Sequence, residues 1–155
     1  MDLDFRGRNT EVRLAFPLRL DLARARALYE TPCAVLERRP YFEVPASSPE
    51  PRDPTARPAG RGSWPALNWV AYRDGEWGIA LANRGTPANR LIAGCIEAIV
   101  LRSPTMMASG FNVTPDAHDN GRHTFRFALQ PFRGDPRDGT AYRLGATLKI
   151  GRAHV

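Results

Sequence analysis

Between Asp116 and His123 the sequence reads Asp-Ala-His-Asp-Asn-Gly-Arg-His, which places two imidazoles and two carboxylates within eight residues. These are ligand types that zinc or another divalent ion takes, provided the loop folds around it. The same stretch also reads as an Asp119-Asn120-Gly121 turn, with His123 packing where the next strand begins. Spacing alone assigns no metal ligand, and no metal or other cofactor is expected in this chain. A second kind of chemistry is suggested by Trp64, Trp69, Tyr72 and Trp77, because flat aromatic faces stack on sugar rings as readily as on neighbouring side chains. Trp64, Trp69, Trp77 and His123 are therefore the candidate carbohydrate contacts. Period-two alternation puts Trp69 and Tyr72 on opposite faces, so one of the two is expected to face solvent. There is no Gly-x-Ser-x-Gly elbow, phosphate loop, His-Glu-x-x-His pair or Gly-rich dinucleotide turn, and no catalytic residue is assigned.

The elements that would position these groups read as short strands. Residues 11–21 carry Val12, Leu14, Phe16, Leu18 and Leu20 on one parity, the pattern of a half-buried strand. Pro17, which cannot donate to a ladder, marks that strand as an edge or a bulge. Thr31–Glu37 reads as a second strand. Trp64–Tyr72 and Glu76–Asn83 flank Arg73-Asp74-Gly75, a hairpin signature. The apolar run Cys95–Leu101 suits a buried strand. His123–Gln130 alternates with Phe125, Phe127 and Leu129 inward, and Pro131 is expected to stop it. Residues 136–149 read as a short helix or a strand. Residues 44–63 hold five prolines and almost no large apolar side chain, which reads as an exposed loop. Strands separated by Gly, Pro, Asn and Asp clusters, with no convincing helical period, predict an all-β protein built as an antiparallel β-sandwich.

The chain has 155 residues, 43% apolar and 25% charged, the composition of one folded domain rather than a disordered segment or a coiled coil. No stretch approaches the roughly 20 consecutive apolar residues that cross a bilayer, and the first residues lack the order of a signal peptide. No membrane partner is expected, and the location expected is cytoplasmic. The net charge of +6 comes from 22 Lys and Arg against 16 Asp and Glu, and Lys149 is the single lysine. The arginines are scattered rather than gathered on one run, so no nucleic-acid partner is expected. Cys33 and Cys95 lie in apolar surroundings without a Cys-x-x-Cys pair and read as buried reduced thiols.

Several segments form an ordered pattern across residues 9–138: E-V-R-L-A-F-P-L (Glu11–Leu18), Y-E-T-P-C-A-V-L-E-R-R-P (Tyr29–Pro40), W-P-A-L-N-W-V (Trp64–Val70), D-G-E-W-G-I-A-L-A-N (Asp74–Asn83), V-L-R-S-P (Val100–Pro104) and G-R-H-T-F-R-F-A-L-Q-P (Gly121–Pro131), followed by Gly134-Asp135. In this order they resemble the carboxy-terminal β-domain of glycoside hydrolase family 38 α-mannosidases. Cys33-Ala34 departs from an aromatic-glycine pair, and Phe132 from a common histidine.

The resemblance implies part of a galactose-mutarotase-like supersandwich. It also implies a retaining glycosidase whose aspartate nucleophile and zinc lie in an amino-terminal α/β domain, followed by a helical bundle. Retaining hydrolysis needs two carboxyl groups about 5–5.5 Å apart, and none of the quoted segments carries that pair or the zinc ligands. The chain is therefore expected to be a non-catalytic fragment. Its partners would be the catalytic and helical domains of the parent, and α-mannosides would be substrates of the intact enzyme only. A free-standing carbohydrate-binding module is the alternative. Residues 150–155 resemble a translated frame of a common sequencing adapter, so the domain is taken as 1–149 and the rest as a non-native tail.

Overall fold

The computed structural model describes residues 1–21, 23–38, 63–92, 94–104 and 118–150. The strands are β1 (Asp2–Phe5), β2 (Thr10–Pro17), β3 (Ala25–Glu30), β4 (Val35–Arg38), β5 (Ser63–Pro65), β6 (Trp69–Asp74), β7 (Trp77–Asn83), β8 (Ala88–Ile92), β9 (Cys95–Ser103), β10 (Gly121–Thr124) and β11 (Phe127–Arg133), followed by helix α1 (Thr140–Ile150). A five-stranded sheet in the order β11-β7-β6-β3-β4 faces a four-stranded sheet in the order β2-β9-β8-β5, with a ribbon of β1 and β10 beside them. Every pairing among the described strands is antiparallel. The all-β sandwich expected from the sequence is the architecture found, with one helix added.

The core between the sheets follows from alternation. Val12, Leu14 and Phe16 of β2 point inward over Tyr29, Val70, Tyr72, Leu81, Ile96 and Ala98. Phe16 meets Phe127 edge-on with ring centroids 6.4 Å apart, which joins the two sheets at one side. The register of β2 on β9 jumps between Val12, opposite Leu101, and Arg13, opposite Ile99, so Val100 is the extra residue of a bulge. That bulge lets both Ile96 and Leu101 reach the core despite their opposite parity. Among the described residues, Pro17, Pro65 and Pro131 all lie in strands that have a neighbour on one flank only. A strand there can lose an amide donor without breaking a ladder.

The outer face of the five-stranded sheet is also covered. Trp69, Ala71, Ala80, Ala82, Leu28 and Phe132 form a second apolar cluster beneath α1, against Ala141, Leu144 and Leu148. Those helical positions recur with Gly145 at the three- and four-residue spacing of one helix face. The helix starts where Asp138 accepts the Thr140 amide at 2.8 Å, after a 3-10 turn at Pro136–Asp138 whose Arg137 amide is taken by Asp135.

Several expectations are corrected. Thr31–Glu37 is not one strand: Thr31 and Ala34 close a turn, with Thr31 N–H on Ala34 O at 2.8 Å, and the strand before it is Ala25–Glu30. Trp64–Tyr72 is divided between the two sheets, β5 in one and β6 in the other. His123–Gln130 is likewise divided at Phe125-Arg126, because Phe125 N–H bonds Met1 O while Phe127 enters the ladder with β7. Leu129 is exposed rather than inward, on the edge strand beside the buried Leu81. Pro131 does not end its strand, which runs to Arg133 as the last of the described strands in its sheet. Cys33 is exposed at the β3–β4 turn and Cys95 half-buried, and both are free thiols. Burial, and then the Glu97 carboxylate, push the Cys95 thiol up. Apart from Ser63, the proline-rich segment 44–63 lies outside the described residues. So do residues 151–155, while Ile150 is the last residue of α1.

Candidate functional site

Among the described residues, the β6–β7 hairpin sets out the most accessible aromatic side chain, Trp77. Asp74 and Trp77 are directly opposite each other, which leaves Gly75-Glu76 as a two-residue loop. Gly75 has φ of 59° at the first loop position, the backbone a tight hairpin asks of glycine. The guanidinium of Arg24 lies against it where a Cβ would have to go. Across the other flank Trp77 faces Arg133 of β11. Residues opposite one another in antiparallel strands share a face, so Asp74, Trp77 and Arg133 form one row.

Trp77 is 61% exposed, and the Arg133 guanidinium carbon is 5.6 Å from its ring centre. Arg133 Nε and Nη2 both donate to Glu76 Oε2, at 3.1 and 3.0 Å. Asp74 Oδ2 accepts the Asp21 amide at 2.6 Å. The result is a flat apolar ring with a carboxylate on one side and a guanidinium–carboxylate pair on the other. Such a surface can stack on a ring and hydrogen-bond around its rim.

The other sequence candidates do not join it. Trp64 is half-buried at the opposite edge, its ring covered by the Arg38 guanidinium carbon at 3.7 Å. Trp69 is fully buried beneath α1, where Tyr142 meets it edge-on at 5.2 Å. Tyr72, on the other face, is fully buried in the sandwich, and its hydroxyl accepts the Gly94 amide at 3.2 Å. The two do take opposite faces, but neither meets solvent, because helix and sheet cover both sides. His123 stacks on Phe125 with centroids 5.9 Å apart, and its Nε2 donates to Asp119 O at 3.0 Å. His118 Nδ1 instead lies 3.4 Å from Ser103 Oγ, so the two imidazoles diverge; Asp116 lies outside the described residues. Among the described residues no three His, Cys, Asp or Glu side chains gather as a metal cradle. Sequence reasoning named Trp77 but missed Asp74, Glu76 and Arg133. Placing the turn one residue later would have shown Asp74 and Trp77 as partners.

A second charged cluster lies on the outer face of the same sheet. Glu37 of β4 is 3.8, 3.5 and 3.7 Å from Arg26, Arg73 and Arg137. Hydrogen bonds from Arg137 hold the Asp135 carboxyl down, at about 2. Its charges compensate one another, as those of a fixed scaffold do.

No family model and no curated protein matches the chain. Solved structures do: a glycosyl hydrolase family 38 protein from Enterococcus faecalis and an alpha-mannosidase from Enterococcus faecalis V583 each superpose with a TM-score of 0.71 at 17% identity, over 94% of this chain and 15% of theirs. The fold is that of a segment of these family 38 structures. The chain spans about 15% of their length. At this identity the likeness is one of fold, and it agrees with the β-domain resemblance read from the ordered segments.

Proposed function

We propose that the chain is a non-catalytic β-sandwich portion of a glycoside hydrolase family 38 α-mannosidase, packing beside the catalytic and helical parts and helping to frame the sugar cleft. The observation that carries this reading is the superposition of 94% of the chain on structures of that family. The order of the six sequence segments supports it independently. In this reading the nucleophile and zinc belong to the parent's other domains. The described side chains here do not form a zinc cradle, and no step of the reaction is assigned to them.

The test is a hydrolysis assay of the purified 155-residue chain with an activated aryl α-mannoside and added zinc. The expected result is no turnover above the blank. Turnover that disappears when one of the chain's own acidic residues is changed would refute the proposal. The flanking reading frame supplies the positive check, since it should encode an upstream zinc-binding α/β domain.

A second reading, a free-standing carbohydrate-binding module, is favoured by the solvent-facing indole of Trp77. Titration with mannose or mannan, followed by tryptophan fluorescence, tests it: a saturable change in the isolated chain supports a sugar-binding surface that needs no other domain, and its absence leaves packing alone.

A further inference from the structure

We infer that the Asp74–Trp77–Arg133 row is a binding site for one hexopyranose unit of a neutral oligosaccharide. The inference rests on the carbohydrate-binding reading and adds the place and the contacts. A hexopyranose has a face of C–H groups and a rim of adjacent hydroxyls, each of which donates and accepts. Trp77 offers the stacking surface, 61% exposed and fixed on a strand rather than on a loop.

The rim chemistry is present and partly unused. Asp74 spends Oδ2 on the Asp21 amide, and its Oδ1 has no partner among the described residues. Arg133 commits Nε and Nη2 to Glu76 Oε2, so Arg133 Nη1 and Glu76 Oε1 are likewise without partners among the described residues. Two acceptors and a donor therefore surround the indole. Rigid strand pairing on both flanks holds them before any ligand arrives, which lowers the ordering cost of binding.

The apolar surface continues along the same face to Ile79 and Pro131, which are directly opposite each other. A protein partner would use such a surface too, but the centre of a protein interface is depleted of charged groups. Trp and Arg are themselves frequent at interfaces, but here the carboxylates of Asp74 and Glu76, of a type depleted there, flank the central ring, and that favours a polyhydroxylated ligand.

The test is a titration of the isotopically labelled full chain with methyl α-mannoside and mannotriose, following the tryptophan indole N–H signals by NMR. A saturable shift of the Trp77 signal is expected, with half-saturation on the order of millimolar for so open a site. Trp77→Ala should weaken binding by about tenfold or more, and Asp74→Asn should weaken it as well. Trp64→Phe should leave it unchanged. Circular dichroism verifies that each variant is folded.

A saturable shift at Trp64 with none at Trp77 would keep the carbohydrate reading and overturn this site. Silence of every indole at concentrations on the order of tens of millimolar, far above those a millimolar site requires, would overturn both. Self-association that Trp77→Ala abolishes, without any sugar response, would mark the row as a protein interface and overturn the inference.

Discussion

Three tryptophans of the same chemistry meet three fates, and only their neighbours separate them. Trp69 is covered because Ala71, Ala80 and Ala82 lower the sheet around it and let a helix close over it. Trp64 packs against the core between the sheets and carries the Arg38 guanidinium on its ring, while Trp77 stays exposed at the hairpin end of β7. The sequence marked all three as aromatic and gave no means of ranking them, since the covering groups come from residues far along the chain. Asp135 shows a local effect that can be measured. Its folded-state pKa, about 2, is depressed chiefly by hydrogen bonds from Arg137, so the stability it contributes is present above the unfolded value and is lost as pH falls through the folded one. Asp135→Asn keeps the acceptor for the Arg137 amide and removes the charge. The variant should therefore have a lower urea midpoint than the parent at neutral pH. The gap should stay constant down to about pH 4, the ordinary aspartate value, and close as the pH approaches 2. A gap independent of pH would show that the charge is not the cause. The effect is modest, because both partners are partly solvated.

Legibility differs most sharply between elements. Strand β2 was read correctly, bounds included within a few residues, because one of its faces is open and the large apolar Val12, Leu14 and Phe16 alternate with Glu11, Arg13 and the small Ala15. Strand β3 was missed because Ala-Arg-Ala-Leu-Tyr-Glu is buried on both faces, and a doubly covered strand has no need to alternate. The same lack of alternation blurred the start of β6. Helix α1 was left open between two possibilities because its inner face is made of Ala141, Leu144, Gly145 and Leu148, a weak apolar stripe. That face is small for a reason: a Cβ on Gly145 would lie 3.1 Å from the Asn68 Cβ and 3.3 Å from the Trp69 ring. Gly145→Val should therefore lower stability by about 1–3 kcal/mol through overpacking. Ala146→Val, on the exposed side, should cost about 0.5 kcal/mol from helix propensity alone. Equal losses in chemical denaturation would show that the helix does not seat as closely as this.

At the scale of the molecule, the sandwich was legible from strand count and turn chemistry, while the candidate site was legible only in its central ring. Asp74 and Arg133 belong to strands whose register the sequence does not announce, and they meet Trp77 only once three strands are side by side. The placement of the prolines has a consequence for the molecule as a solute. An open strand flank is a template on which another chain can add backbone hydrogen bonds, the first step towards amyloid. Pro17, Pro65 and Pro131 each withdraw a donor from an edge strand, and Glu37 and Arg38 place charge on the remaining edge of the five-stranded sheet. Pro131→Val would return an amide hydrogen to β11 and should shorten the lag before thioflavin-positive fibrils form. An unchanged lag would mean that this flank is already shielded in some other way.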